Sequence, residues 1–255
     1  MNIIEKFSLA GRGAIVVGGC GDLGRGIVAS LIDAGASCVV IDLDSAKAAF
    51  LGDLSRGEVS THFIPADISD RRQIRSSFSD ALKLLGGRVD VLVNTAGIQR
   101  RHPSEHFPEK DWDDVISINL SAMFFYCQLA GLEMIKRGKG KIINVASMQS
   151  FFGGITIPAY AASKGGVAQL TKALSNDWAS KGICVNAIAP GYMDTQLNVR
   201  LVNDPIRSSE ILARIPMRRW GTGEDMKGLA LFLASDASDY VSGAVIPVDG
   251  GFAGR

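Results

Sequence analysis

The sequence of 255 residues predicts a single α/β domain, an open, doubly wound parallel sheet of about seven strands with helices on both faces. Three observations carry that expectation. Short apolar runs such as Ala14–Val17, Cys38–Ile41 and Val89–Val93 alternate with longer helical patterns, the order expected of βαβ units. A glycine-rich turn joins the first run to the first helix. No repeat, low-complexity tract or linker interrupts the chain, so residues 1–255 read as one domain.

Ala14–Val17 reads as a buried strand, and Ile27–Ala34 as a helix closed by Gly35. Between them, Gly19-x-Gly21-x-x-Gly24 matches the dinucleotide fingerprint in its required strand–turn–helix setting. Backbone N–H groups and a helix N-terminus would then face a pyrophosphate, with Gly18, Gly21, Asp22, Leu23 and Gly24 around it. A merely flexible glycine loop would not need that setting. This is the opening of a Rossmann-type fold. Cys38–Ile41 is the next strand and ends in Asp42, which stands 18 residues beyond Gly24. An acid at about that spacing binds a ribose 2′-hydroxyl and repels a 2′-phosphate, so NAD is expected over NADP. Asp44 lies past the strand end and reads as a turn residue or helix cap.

His62–Ile64 and Val89–Val93 continue the strands, with a helix over Arg71–Leu85 capped by Ser69 or Asp70. Asp67 with Ile68, and Asn94-Thr95-Ala96-Gly97, fall at strand ends, where ligands collect in such sheets. For Asp67 a turn acid is an equally good reading. Asn119–Lys136 is helical and apolar around most of its circumference, and Val167, Leu170, Leu174 and Trp178 form a second apolar stripe. One sheet face covers both poorly, so subunit association is expected, the alternative being a core helix under a long loop.

Ile142–Val145 is a strand, with Ser147 just past its end. Tyr160 and Lys164 follow 13 and 17 residues later, on a helix beginning near Pro158. A spacing of four puts them on one helix face, where an ammonium would lower the phenol pKa from about 10 and suit it to acid–base chemistry on an alcohol or ketone. A Ser147 hydroxyl could bond the same substrate oxygen. Ile183–Ile188 is a further strand, followed by Pro190-Gly191 and Thr195. Residues 191–222 look irregular, with Pro205 and Pro216 among many charges, and read as a substrate lid. Glu224–Ala234 reads as a helix and Ala244–Gly251 as the last strand and turn.

Composition narrows the function. Hydrophobic residues make up 47% and charged residues 21%, enough for a sizeable core. A net charge of +1 gives no general case for nucleic acid or membrane surfaces. The first seven residues lack a signal-peptide core, and no uninterrupted apolar run approaches the ~20 residues of a membrane span. Cys20, Cys38, Cys127 and Cys184 have no metal-ligand or redox spacing, so reduced thiols and no metal are expected. A soluble, cytoplasmic protein acting on a small molecule is the expectation.

Taken in order, these motifs resemble the short-chain dehydrogenase/reductase family over essentially the whole chain. Asn94-Thr-Ala-Gly97 is similar to the family's Asn-Asn-Ala-Gly, and Ser147, Tyr160 and Lys164 to its catalytic triad. Asn119 is similar to the helix asparagine that completes a tetrad, and Pro190-Gly191 with Thr195 to the segment that holds the nicotinamide. The sequence departs from the family pattern at Val17, usually threonine, at Thr95, usually asparagine, and at Asp22, where short members carry glycine. Arg100-Arg101, Glu109–Asp114, Ser209–Pro216, Arg219-Trp-Gly221 and Ser238–Val241 resemble members of the 2-deoxy-D-gluconate 3-dehydrogenase and gluconate 5-dehydrogenase kind.

The resemblance implies an NAD-dependent oxidoreductase of a sugar acid, assembled as a homotetramer. Tyr160 would exchange the hydroxyl proton, Ser147 hold the same oxygen, Lys164 hold the nicotinamide ribose and Asn119 position a proton-relaying water. Arg101, Gln149 and Arg214 are the candidate substrate residues, the arginines because a guanidinium can grip a carboxylate with two parallel hydrogen bonds. An NADPH-dependent ketoacyl reductase on the same fold is the rival enzyme; Asp42 and the non-basic Leu43 count against it. A non-catalytic dinucleotide-binding protein is the rival outside enzymes, though such proteins normally lack one of the four catalytic residues.

Overall fold

In the computed structural model, which describes residues 2–54 and 59–254, seven strands form one parallel sheet. They are β1 Gly13–Val17, β2 Ser37–Asp42, β3 Thr61–Pro65, β4 Val91–Asn94, β5 Gly140–Val145, β6 Ile183–Pro190 and β7 Val245–Val248. Their order is β3-β2-β1-β4-β5-β6-β7. The winding reverses between β1 and β4, which puts a ligand crevice at the carboxyl ends of those two strands. Ile15 sits between Val39 of β2 and Leu92 of β4, so the register is set by apolar neighbours on both sides.

The helices are α1 Asp22–Asp33, α2 Phe50–Leu54, α3 Arg71–Leu84, α4 Glu109–Ile116, α5 Met123–Arg137, α6 Pro158–Trp178, α7 Val199–Val202, α8 Pro205–Arg214 and α9 Gly223–Ala234. Alternation within β1 divides the core. Ile15 and Val17 face α3, α5 and α6 through Phe78, Tyr126 and Val167. Ala14 and Val16 face α1 and α9 through Ile27, Leu31 and Met226. Helix α1 begins at Asp22, five residues before the expected Ile27. Its glycines are helical because the packing needs them: a Cβ on Gly26 would collide with the Gly223 carbonyl at the start of α9.

Two further expectations are corrected. The apolar helix starts ten residues before Asn119, running continuously from Glu109 through a π-helical turn at Ser117–Ala122 to Arg137. This helix is long and apolar enough to span a membrane, yet Tyr126, Cys127, Ala130 and Met134 are fully buried in the domain core. The 191–222 segment is not irregular, for it contains α7 and α8. Pro205 starts α8 instead of breaking a helix, since proline at the first helical position forfeits no intrahelical bond. The Asp204 carboxylate caps it, accepting from the Ile206 and Arg207 N–H groups at 3.0 Å each. The two ends of the segment are clamped together: Asp194 N–H donates to the Gly221 carbonyl at 2.7 Å and Gly221 N–H to the Tyr192 carbonyl at 3.0 Å.

Candidate active site

The glycine turn leaves β1 at Gly18, whose φ of +80° suits glycine. A Cβ there would collide with the Ala96 backbone, so the first and fourth strand ends touch without a side chain between them. Thr95, in place of the usual asparagine, fastens that contact: its hydroxyl donates to the carbonyls of Val17 at 3.0 Å and Gly18 at 2.7 Å. Helix α1 has Gly21 at its N-cap with no side-chain cap, and among the described residues no acceptor takes the N–H groups of Asp22, Leu23 or Gly24. Those free donors at the positive end of a helix dipole fit a pyrophosphate. The Asp22 carboxylate accepts from the Gln196 N–H of the 191–222 segment at 2.7 Å.

Asp42 ends β2 beside this turn. Its carboxylate accepts from Cys20 N–H at 2.9 Å and Leu43 N–H at 2.8 Å, which fixes an anion at the lip of the crevice. The Asp67 carboxylate holds the N–H and hydroxyl of Ser69, at 2.9 and 2.7 Å, in a local turn, and neighbouring Ile68 packs on the core. Pro190 is buried at the end of β6, Gly191 N–H donates to the Val248 carbonyl at 2.9 Å, and the Thr195 carbonyl accepts from Asn198 N–H at 2.8 Å. Asn94 ends β4 as expected, with its side chain turned into the core. Only 2% exposed, its amide donates to Asn144 Oδ1 at 2.9 Å and Cys127 Sγ at 3.3 Å, so the side chain braces β4 against β5 and α5. That leaves the crevice only its backbone.

Tyr160, Ser147, Lys164 and Asn119 do come together at the carboxyl edge of the sheet. The Ser147 hydroxyl lies beside the Tyr160 hydroxyl, where it favours the ionised phenol. Lys164 lies one turn further along α6, with Nζ 5.8 Å from the centroid of the Tyr160 ring. Its ammonium donates to the Val145 carbonyl at 2.7 Å, and only 3% of the residue is exposed. Asn119 sits in the π-helical turn and is fully buried. Its amide oxygen accepts from Ile98 N–H at 2.8 Å, and its amide nitrogen donates to the Ile98 carbonyl at 2.9 Å and Ser163 Oγ at 3.1 Å. A Cβ on Gly97 would lie 3.4 Å from Asn119 Oδ1 and 3.7 Å from Lys164 Nζ, so Gly97 marks where the two helices converge.

The electrostatics correct one expectation. The Tyr160 phenol is raised above its ordinary value, because burial outweighs the lowering by the nearby Ser147 hydroxyl. The same burial brings Lys164 down to about 8. Sequence reasoning also missed Ser150, whose hydroxyl accepts from Ser147 N–H at 3.4 Å and donates to the Lys164 carbonyl at 2.7 Å. A serine three residues after another is too common a pattern to have signalled it.

Among the arginines near the presumed pocket, three are engaged. Arg100 pairs with Asp111 at 3.5 Å, Arg218 donates to the Ala213 carbonyl at 3.0 Å, and Arg219 grips Asp225 with bonds of 2.8 and 2.6 Å. Arg219 thereby holds the Asp225 carboxyl down to about 2, while Asp225 also accepts from Thr222 N–H at 2.8 Å in the capping box of α9. Arg101 and Arg214 are exposed and have no polar partner among the described residues. Gln149 lends its N–H to Ser147 Oγ at 3.2 Å, while its own Oε1 is buried without a partner.

A parallel sheet that reverses at β1/β4, an uncapped glycine-rich α1 and a Ser–Tyr–Lys–Asn cluster are the marks of one class, and the chain belongs to the short-chain dehydrogenase/reductase family of oxidoreductases. Residues 21–253 match the family model described as enoyl-(acyl carrier protein) reductase. The chain is 46% identical over 258 residues to the 2-dehydro-3-deoxy-D-gluconate 5-dehydrogenase of Pseudoalteromonas atlantica, covering 99% of this chain and 100% of the relative. The structure of a gluconate 5-dehydrogenase from Burkholderia cenocepacia, in complex with NADP and tartrate, superposes with a TM-score of 0.93 at 40% identity and covers 100% of both chains. A candidate 2-deoxy-D-gluconate 3-dehydrogenase from Agrobacterium tumefaciens with bound NADP gives 0.90 at 44% identity, over 98% of this chain and 99% of that one.

Proposed function

We propose that this chain interconverts a secondary hydroxyl and a ketone on a sugar acid, using NAD as its preferred dinucleotide. The observation that carries the reading is Tyr160 set beside Ser147 and one helical turn from Lys164, at the same sheet edge as an α1 N-terminus with unclaimed donors among the described residues. Relatives named for 2-dehydro-3-deoxy-D-gluconate and gluconate support the sugar acid. So do the two unpaired guanidiniums and the orphaned Gln149 oxygen, which needs a donor such as a sugar hydroxyl.

Ser147 holds the reacting oxygen while Tyr160 moves its proton. Burial keeps Tyr160 as a phenol, the form that protonates a ketone oxygen during reduction. Oxidation needs the phenolate, which a protonated Lys164 one turn away favours. The nicotinamide, when bound, supplies or accepts the hydride. Lys164 bonds its ribose, and Asn119, already tied to Ile98 and Ser163, positions a water that carries the proton outward.

Asp42 supports NAD: a fixed carboxylate bonds ribose hydroxyls and repels a 2′-phosphate, and the next residue is the exposed Leu43 instead of a cation. NADP bound in three solved relatives favours the second reading, dual or NADP use. The acyl carrier protein in the description of the family model keeps a ketoacyl substrate as the other rival. A homotetramer, soluble and cytoplasmic, belongs to the same proposal; Trp112 and Leu132, 41% and 56% exposed on the α4–α5 helix, are apolar surface for a second subunit to cover. The test is a panel of sugar acids, polyols and ketoacyl thioesters, each assayed with NAD and NADP at the nicotinamide absorbance band. Sugar acids turning over fastest with NAD is the expected result; a ketoacyl preference overturns the substrate, and an NADP preference overturns the cofactor.

A further inference from the structure

The C-terminal turn after β7 brings an aromatic ring to the lid. The Asp249 carboxylate accepts from Gly251 N–H at 2.9 Å and Ala253 N–H at 2.8 Å, which fixes the turn that carries Phe252. Met217 N–H of the lid donates to the Gly250 carbonyl at 3.1 Å, and a Cβ on Gly191 would lie 2.7 Å from Asp249 Cα. The turn is thus bound to both the lid and the exit of β6. The Phe252 ring packs edge-on against Tyr192 at 5.3 Å and Phe152 at 6.2 Å between centroids. Phe152 belongs to the loop after Ser147 and Tyr192 follows Gly191, so the ring is built into the wall of the crevice. The Arg214 guanidinium, at the end of α8, lies over this ring at 4.9 Å from its centroid.

Neighbouring Arg218 and Arg219 are engaged by a carbonyl and a carboxylate, whereas Arg214 has no acceptor among the described residues. A guanidinium held on an aromatic face loses little further freedom when its N–H edge meets a carboxylate. We propose that Phe252 is a positioning residue, its ring holding Arg214 to bind the carboxylate of the substrate. The proposal rests on the sugar-acid reading above and adds the C-terminal turn to the parts that select the substrate.

The experiment compares 2-dehydro-3-deoxy-D-gluconate or D-gluconate, whichever turns over faster, with the uncharged polyol D-glucitol. Arg214→Ala should raise KM for the acid about 10- to 100-fold, the loss expected for a charge-assisted pair, with little change for the polyol. Phe252→Leu should raise it about two- to fivefold with kcat nearly unchanged, and Phe252→Tyr should restore it. Because Phe252 acts through Arg214, Phe252→Leu should have no further effect on the acid-to-polyol ratio in the Arg214→Ala background. A ratio that still shifts there overturns the positioning role. Should Phe252→Leu fail to fold, the exposed Arg214→Ala and Arg214→Lys variants decide, because equal effects on acid and polyol overturn the proposal while sugar-acid turnover leaves the proposed function standing. A wild type that oxidises D-glucitol but neither acid overturns both.

Discussion

Lys164→Met should separate stability from activity. Burial holds the Lys164 ammonium at about 8 against an ordinary value of 10.5, so keeping it charged below pH 8 costs the folded state about 3 kcal/mol. Methionine removes that cost. It also removes the 2.7 Å hydrogen bond to the Val145 carbonyl, worth about 1–3 kcal/mol when the acceptor is left buried. At pH 7 the variant should therefore be as stable as wild type or up to ~2 kcal/mol more stable, while turnover collapses. The pH dependence carries the sharper test. Because the folded pKa is depressed, the unfolded chain binds more protons between pH 8 and 10.5, so wild-type stability rises with pH in that window. The wild type should gain about 3 kcal/mol relative to Lys164→Met from pH 8 to 10.5, at up to ~1.4 kcal/mol per pH unit. Urea unfolding of both proteins at matched concentration isolates this group, since every other titrating side chain is common to both. A stability difference that stays flat across pH 7 to 10.5 would refute the burial argument.

Four further outcomes are expected. Tyr160→Phe should keep dinucleotide affinity in a binding titration while turnover falls by about 10²–10⁴; near-normal turnover would sink the acid–base role. Asp42→Ala should weaken NAD and narrow the gap to NADP, as measured by kcat/KM with each; a wild type that already favours NADP would show that Asp42 does not exclude the phosphate. Arg101→Ala should raise KM for a sugar acid more than for the matching polyol, and equal shifts would mean that Arg101 does not read the carboxylate. Light scattering at micromolar concentration should show a stable homo-oligomer, the tetramer being the expected form, and a monomer would contradict the covered-helix argument.

The parts of the fold that sequence made legible are those where one local pattern admits one structure. Ala14–Val17, the glycine turn and the following helix could only be strand, phosphate loop and helix, and Asp70 does cap α3, its carboxylate accepting from Arg72 N–H at 2.8 Å. The 191–222 segment was read as irregular because Pro205 has opposite meanings at two places in a helix, and only the preceding Asp204 cap tells which applies. The start of α1 was missed for a related reason. Glycine lowers helix propensity, but Gly24 and Gly26 are helical because another backbone comes too close for a Cβ.

Ionic assignments were the least legible, and the reason is physical. Spacing says which residues share a helix face but not which partner lies across space. The sequence favoured Arg101 and Arg214 among five arginines from two segments, but it could not show that Arg100, Arg218 and Arg219 are engaged by groups elsewhere in the fold, which leaves those two without a polar partner among the described residues. Asp22 shows the same gap from the other side. An acid at the mouth of a phosphate loop looks hostile to a pyrophosphate until its carboxylate is seen bonded to Gln196 N–H, 174 residues away. Tyr160 and Lys164 keep the predicted spacing, but the sign of the phenol shift depends on burial, which the i, i+4 pattern does not report. Motif spacing brings the candidate acid–base groups together, and the surrounding packing decides what charge each one carries.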